Sequence, residues 1–254
     1  MQRNIRIILV ETSHSGNIGS AARAMKTMGL NQLYLVSPKQ PIDDQALALA
    51  AGADDVLKNA TIVDHFEQAI ADCELVIGTS ARLRHLQNTL IDARKCGEKT
   101  IQFCQTGKVA LVFGRERVGL TNKELLKCHY HLNIPTNPDY SSLNLAMAVQ
   151  LVCYEIRMAW LADKKNYFNK ENANLPLSSI ENPYPKSLEL EHFFNHTEHL
   201  YKQLGFIKNQ GVIQKLRRLY QRAKIEKTEL NILQGMLTAV EKQLATEQKQ
   251  KIVK

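Results

Sequence analysis

Val109-Ala-Leu-Val-Phe-Gly-Arg-Glu-Arg-Val-Gly-Leu-Thr121 is the stretch on which the reading of the fold turns. Its short apolar run is bounded by turn residues and greasy on both faces, as in a strand buried inside a parallel sheet. A glycine then opens a polar loop that a second glycine closes. Working outward, similar runs recur at residues 5–11, 33–36, 74–78 and 131–135, with a weaker one near 56–57. Amphipathic stretches separate them, at 18–28, 45–51, 66–72, 92–105, 122–127 and 142–161. Alternation of this kind predicts an α/β fold, with a mostly parallel sheet covered by helices on both faces.

The alternation stops after residue 162. Residues 163–186 hold Pro176, Pro183, Pro185 and several asparagines, a composition that builds no core and reads as a linker. Apolar residues at helical spacing resume over 190–204, 213–223 and 228–244, predicting a small all-α extension over 187–254. The chain thus divides into a domain at 1–162, a linker at 163–186 and the helical extension.

The net charge of +8 is uneven. Residues 186–254 carry 13 Lys/Arg against 7 Asp/Glu, whereas residues 1–162 carry 17 against 15. A basic tail suits a polyanion, nucleic acid first of all; a merely solvated basic face is the competing reading. Its densest cluster is Lys215, Arg217, Arg218, Arg222 and Lys224. The five cysteines, Cys73, Cys96, Cys104, Cys128 and Cys153, are scattered without ligand spacing and read as reduced, mostly buried thiols of a cytoplasmic protein. The N-terminus does not read as a secretory signal, no window approaches a membrane span, and no membrane partner is expected. His192, His196 and His199 share a helical face but lack a further ligand, so no metal is expected.

Ligands of open α/β sheets sit beyond the carboxyl ends of the strands. Four such ends carry polar or glycine-rich sequence, at 11–19, 78–84, 114–121 and 135–144. Two nucleotide signatures are absent. No GxG occurs, and the Gly114-x-x-x-x-Gly119 run has Leu120 where a phosphate-binding loop needs lysine.

Three blocks remain: Asn17-Ile-Gly-Ser-Ala-Ala-Arg23-Ala-Met, then Ala110-Leu-Val-Phe-Gly-Arg-Glu-Arg-Val-Gly-Leu120, then Ile134-Pro followed by Tyr140-Ser-Ser-Leu-Asn-Leu-Ala146. In this order and spacing they resemble the signature motifs of the SPOUT methyltransferases over residues 1–162. The tail runs Lys215-Leu-Arg-Arg-Leu-Tyr-Gln-Arg-Ala223 and Glu229-Leu-Asn-Ile-Leu-Gln-Gly235 resemble the helical extension of one branch of that family. That branch methylates the ribose 2′-oxygen of the pyrimidine, cytidine or uridine, at position 32 of the tRNA anticodon loop.

The resemblance implies a trefoil knot late in the domain, S-adenosylmethionine (SAM) as methyl donor, tRNA as substrate and a homodimer. Matched by position, it implies a SAM site made of Thr79, Ser80, Ala81, Gly114, Ile134, Ser141, Ser142 and Leu143. Arg23 and Ser142 are its catalytic residues. Arg84 matches an RNA-contacting arginine of the family, with Arg82 and Arg115 beside it on the rim. In the tail, the density of basic charge makes Lys215, Arg217, Arg218 and Arg222 the candidate RNA-gripping residues. A 2′-hydroxyl is a poor acid, yet a guanidinium is effectively always protonated, so Arg23 is expected to clamp phosphate and developing alkoxide rather than act as a base. Gly78 and Gly114 are expected to admit the adenine close to the backbone, and Ser141 to double as cap of a helix starting at 142. Glu116 is expected to orient Arg115 or nearby backbone, or to form a plain surface ion pair. Asn17 and Asn144 are expected to hold the motif loops. The alternatives are another tRNA position, ribosomal RNA, or an RNA-binding factor without catalysis.

Overall fold

The structure, a computed structural model, describes residues 2–80, 89–170 and 184–252. It comprises two units, Met1–Asn182 and Pro183–Lys254. In the first, seven strands form one sheet: β1 (Ile5–Val10), β2 (Gln32–Val36), β3 (Thr61–Val63), β4 (Leu75–Thr79), β5 (Thr89–Ile91), β6 (Val109–Phe113) and β7 (Tyr130–Leu132). Their order is β3-β2-β1-β6-β4-β7-β5, and every neighbouring pair is parallel. The helices are α1 (Ser15–Thr27), α2 (Asp44–Ala50), α3 (Asp54–Lys58), α4 (Phe66–Ile70), α5 (Ala93–Phe103), α6 (Asn122–Leu125) and α7 (Leu145–Lys170).

Alternation along β1 shows why its run is apolar throughout. Ile5, Ile7 and Leu9 enter a large core shared with α1, α2, α5 and α7, while Ile8 and Val10 enter a smaller one with Phe66, Ile70 and Leu125. Both faces are thus covered, as expected of a parallel sheet. Arg6 is the exception on the second face: it is buried, pairs with Asp72 at 2.8 Å and lies over the Tyr34 ring at 4.3 Å. Because β1, β6, β4 and β7 are neighbours, the loops after them emerge side by side on one rim. The last strand, β7, lies between β4 and β5, which both precede it in the chain.

Several local readings are corrected. The weak strand at 56–57 is part of α3, where Asp54 and Asp55 in the first turn favour a helix start. Strands β3 and β5, three residues each, are too short for periodicity to reveal. The helix read as 142–161 starts at Leu145 and runs through Lys170, so the first residues of the expected linker are helical. Residues Leu145–Asp163 are also long and apolar enough, by length and composition alone, to cross a membrane. Val149, Val152, Cys153 and Ile156 nevertheless sit in the large core, with α7 packed on α5 and α1. It is a core helix that is apolar on its other face too.

In the second unit, α8 (Ser187–Gln203), α9 (Gln210–Ala223) and α10 (Lys227–Ile252) enclose Leu190, Phe193, Phe194, Leu200, Leu230 and Leu237. The Phe193 and Tyr220 rings meet edge to face at 5.1 Å.

Candidate active site

A cavity of about 230 Å³ opens on the rim where β4, β6 and β7 end. One wall is apolar: Phe113, Val118, Leu120, Leu132, Ile134, Leu143, Leu145 and Ala148. Thr79, Ser80, Ser141 and Ser142 add hydroxyls along it. The strand ends are pinned before they reach it. The Thr79 hydroxyl donates to Val112 O at 3.0 Å, Ser80 N–H to Leu132 O at 2.8 Å, and Asn133 Nδ2 to Ser80 O at 3.0 Å.

Of the residues matched to the SAM site, Thr79, Ser80, Gly114, Ile134, Ser141, Ser142 and Leu143 line this cavity. Ala81, Arg82 and Arg84 lie outside the described residues. Arg23 is exposed on α1 and is not among the residues lining the cavity. Ser142 precedes α7 rather than opening it. The cap is Asn144, whose Oδ1 accepts from Ala146 N–H at 2.9 Å and Met147 N–H at 3.3 Å, so Ser141 is not the cap.

The loop between Gly114 and Leu120 is a closed ring of backbone. Gly119 N–H donates to Arg115 O at 2.8 Å, and Gly119 has φ +68, a region L side chains avoid. A Cβ on Gly114 would lie 2.2 Å from Gly119 C and 2.3 Å from Leu120 N. Gly114 is therefore required by its own loop. At Gly78 a Cβ would meet Cys128 Sγ at 2.6 Å, so that glycine serves core packing. Each glycine thus has a packing requirement of its own.

Arg115 lines the cavity but is committed to two carboxylates. Its guanidinium forks onto Glu124 with two bonds of 3.0 Å and also donates to Glu11. Its side chain is only 20% exposed. These two carboxylates raise the Arg115 pKa, while the hydrogen bonds from Arg115 and Lys39 hold Glu11 down at about 2. Glu11 itself has φ 47, strained for a residue with a side chain, and the ion pairs help to hold it there.

Glu116 does not touch Arg115. It accepts from Ser13 N–H at 3.1 Å, Ser13 Oγ at 2.9 Å and Asn17 Nδ2 at 3.1 Å. Burial pushes its pKa up, but those hydrogen bonds more than offset it, and the group is held below the ordinary carboxylate range. Asn17 Oδ1 in turn accepts from Asn144 Nδ2 at 3.0 Å. A single relay therefore joins the loop after β1, the loop after β6 and the start of α7. The sequence blocks contained Asn17, Glu116 and Asn144, though not Ser13, and could not show how they pair.

In the second unit the basic cluster separates into two groups. Arg217 faces inward, bonded to Glu191 at 2.6 and 3.0 Å and stacked over Phe194 at 4.5 Å. Its expected RNA contact is corrected to a packing role. Lys215, Arg218 and Arg222 follow one another at helical spacing on α9, and among the described residues none has an ion-pair partner. Nor do the described residues bring together three His, Cys, Asp or Glu side chains able to hold a metal.

Residues 4–154 match the model of the SpoU rRNA Methylase family, and residues 188–250 match that of the C-terminal domain of the tRNA methyltransferase TrmJ. An uncharacterized tRNA/rRNA methyltransferase of Haemophilus influenzae is 66% identical over 244 residues, covering 96% of this chain and 97% of its own. The tRNA (cytidine/uridine-2′-O-)-methyltransferase TrmJ of Photorhabdus laumondii is 56% identical over 245 residues, covering 95% and 98%. The crystal structure of TrmJ from Z. mobilis ZM4 superposes with a TM-score of 0.79 at 30% identity, covering 93% of this chain and 98% of that one.

Proposed function

The chain belongs to the SpoU methylase family and carries a TrmJ-type C-terminal domain, and from that premise we propose that it is a SAM-dependent tRNA 2′-O-methyltransferase acting on the pyrimidine at position 32. The observation that carries this reading is the rim cavity, where the motif loops after β4, β6 and β7 meet. Its donor set fits SAM: an apolar wall suits a planar adenine, and the line of hydroxyls suits ribose and the amino-acid end. When bound, SAM supplies a methyl group activated by its sulfonium.

The chain's own residues then do the positioning. The closed 114–120 loop and the pinned ends of β4 and β7 form a rigid seat, and rigid placement of reactants accounts for a large part of such rate enhancement. Ser142, exposed at the cavity mouth, is assigned to hydrogen-bond the ribose hydroxyl. Arg23, exposed on α1, is assigned to the phosphate and the developing alkoxide. On α9, Lys215, Arg218 and Arg222 bind tRNA phosphates. Position 32 rests on the likeness of the tail to the TrmJ branch. The five cysteines are free and buried, which suits a reducing cytoplasm.

We also assign the exposed face of α7 to a homodimer. Met147, Leu151, Tyr154, Met158 and Leu161 recur every three or four residues and are all exposed. A stripe of that length rimmed by polar residues marks an association surface. Leu151→Glu should give a monomer in sedimentation; an unchanged dimer would reassign the interface.

Labelled methyl transfer to bulk tRNA, followed by mass-spectrometric mapping, tests the activity. Label is expected on the ribose of nucleotide 32 and should be lost in Ser142→Ala and Arg23→Ala. Label confined to ribosomal RNA would refute the tRNA assignment, and label at another tRNA position would refute position 32. Absence of SAM binding by calorimetry would leave only a non-catalytic RNA-binding role.

A further inference from the structure

Helix α8 ends on a glycine in the left-handed region, Gly205 at φ +73. Gly205 N–H donates to Lys202 O at 3.0 Å and Phe206 N–H to Tyr201 O at 2.9 Å. This is the two-bond helix terminator in which the residue after the glycine makes an apolar contact back onto the last turn. The Phe206 ring makes that contact, edge-on to Tyr201 at 5.8 Å. The terminator explains why the ring is anchored. It does not explain why the ring remains 64% exposed, when Phe193 and Phe194 of the same unit are buried. Ile207, the next residue, is buried and fixes the backbone on the other side.

The surroundings of the ring are cationic. Lys208, two residues on, is exposed without an ion-pair partner among the described residues, while Lys202 on the preceding turn is paired with the half-buried Glu198 at 2.6 Å. From Lys208 the chain enters α9, along which Lys215, Arg218 and Arg222 follow. An exposed, anchored aromatic face followed in the chain by a cation-bearing helix supplies the two components that bind single-stranded nucleic acid: bases stack on the ring while cations meet the phosphates.

We propose that Phe206 is a base-stacking platform, taking one unstacked nucleotide of the tRNA anticodon loop, with Lys208 on a flanking phosphate. The proposal rests on the tRNA reading above and adds to it the loop-recognising residue of the C-terminal unit. An unpaired loop supplies what the site needs, a base whose face is free; a paired stem does not.

The full chain is titrated with tRNA carrying 2-aminopurine at single anticodon-loop positions, at low and at moderate salt. At one position the wild-type protein should change the probe's fluorescence by stacking. Phe206→Leu keeps an apolar contact to Tyr201 but removes the aromatic face. It should abolish that signal and weaken binding about tenfold or more. That factor should be nearly the same at both salt concentrations, because stacking is not screened, and Phe206→Trp should restore both readouts. Lys208→Ala should instead weaken binding by a factor that shrinks as salt rises. Unchanged affinity and signal in Phe206→Leu, or a loss that Phe206→Trp does not rescue, overturns the platform and returns the ring to helix termination or protein contact. Failure of the wild-type protein to bind any tRNA at low salt is a different result, overturning the tRNA reading and the platform with it.

Discussion

Replacing Arg115 by methionine tests whether the loop of the candidate cofactor site is held by charge. The guanidinium bridges Glu11 and Glu124, so the substitution leaves two partly covered carboxylates without their shared cation. Glu11 is held at about 2 against an ordinary 4.5, a displacement worth about 3 kcal/mol if nothing screened it. Its side chain is 29% exposed and Lys39 shares it, so the part due to Arg115 is about 1–2 kcal/mol. Glu124 loses a bidentate partner, adding about 1–2 kcal/mol. Arg115→Met should therefore destabilise the first unit by about 3 kcal/mol and lower its melting temperature by roughly 6–12 °C. The sign of the pH dependence follows from Glu11. Its pKa is depressed on folding, so the stabilisation is present above about pH 4.5 and is lost as pH falls toward 2. The gap between wild type and Arg115→Met should close over that window. With the 114–120 loop loosened, KM for SAM should rise more than kcat falls. A variant that melts with the wild type at pH 7, or a gap that stays constant from pH 6 to 3, would show that the loop is held by packing alone.

Gly114→Ala places a methyl 2.2 Å from backbone; calorimetry should find SAM binding lost while far-ultraviolet dichroism stays near that of the wild type. Glu116→Gln keeps one acceptor oxygen but removes the carboxylate charge from the relay to Asn17, weakening charge-assisted bonds worth about 1.5–3 kcal/mol each, and kcat/KM should drop at least tenfold with SAM affinity changed less. Arg217→Ala removes the Glu191 fork and the stack on Phe194. It should lower the stability of the C-terminal unit by about 2 kcal/mol yet leave the salt slope of tRNA binding intact. Lys215→Ala should do the reverse, reducing that slope by roughly one while the melt is unchanged. Interchanged results for the last two would overturn the division of the basic cluster.

How much of this was legible in the sequence depends on the range over which each feature acts. The runs at 5–11 and 109–113 read correctly because burial on two faces leaves a continuous apolar signature. Strands β3 and β5 left none, being three residues long and supported by a neighbour far away in the chain. Glycine was legible as a requirement but not as a reason: what crowds Gly114 is Gly119 and Leu120, while what crowds Gly78 is Cys128, fifty residues away. The charged residues were the least readable. Glu11, Glu124 and Arg115 come from three separate segments, and no spacing rule joins 11 to 115. Within this network the link from Thr121 to Glu124, a capping box opening one short helix, had a local pattern.

Those charge pairings bear on function, because they decide which cations are available to RNA. An arginine already forked onto two carboxylates can reach a phosphate only by abandoning them. Both then lose a hydrogen-bonded partner in partly covered surroundings, where breaking such a pair costs several kcal/mol. An exposed contact with a phosphate returns less than that, since solvent and salt screen it. Arg115 on the rim and Arg217 on α9 both fall on the structural side of this comparison. Arg23, Lys215, Arg218 and Arg222 carry no ion pair among the described residues and fall on the other. The same rule separates the two halves of the relay. Glu116, satisfied by Ser13 and Asn17, must give up those bonds to swing out, which favours a part in shaping the site. Ser142 and Arg23, exposed and without an ion pair among the described residues, are the groups that the proposed function assigns to the ribose and its phosphate.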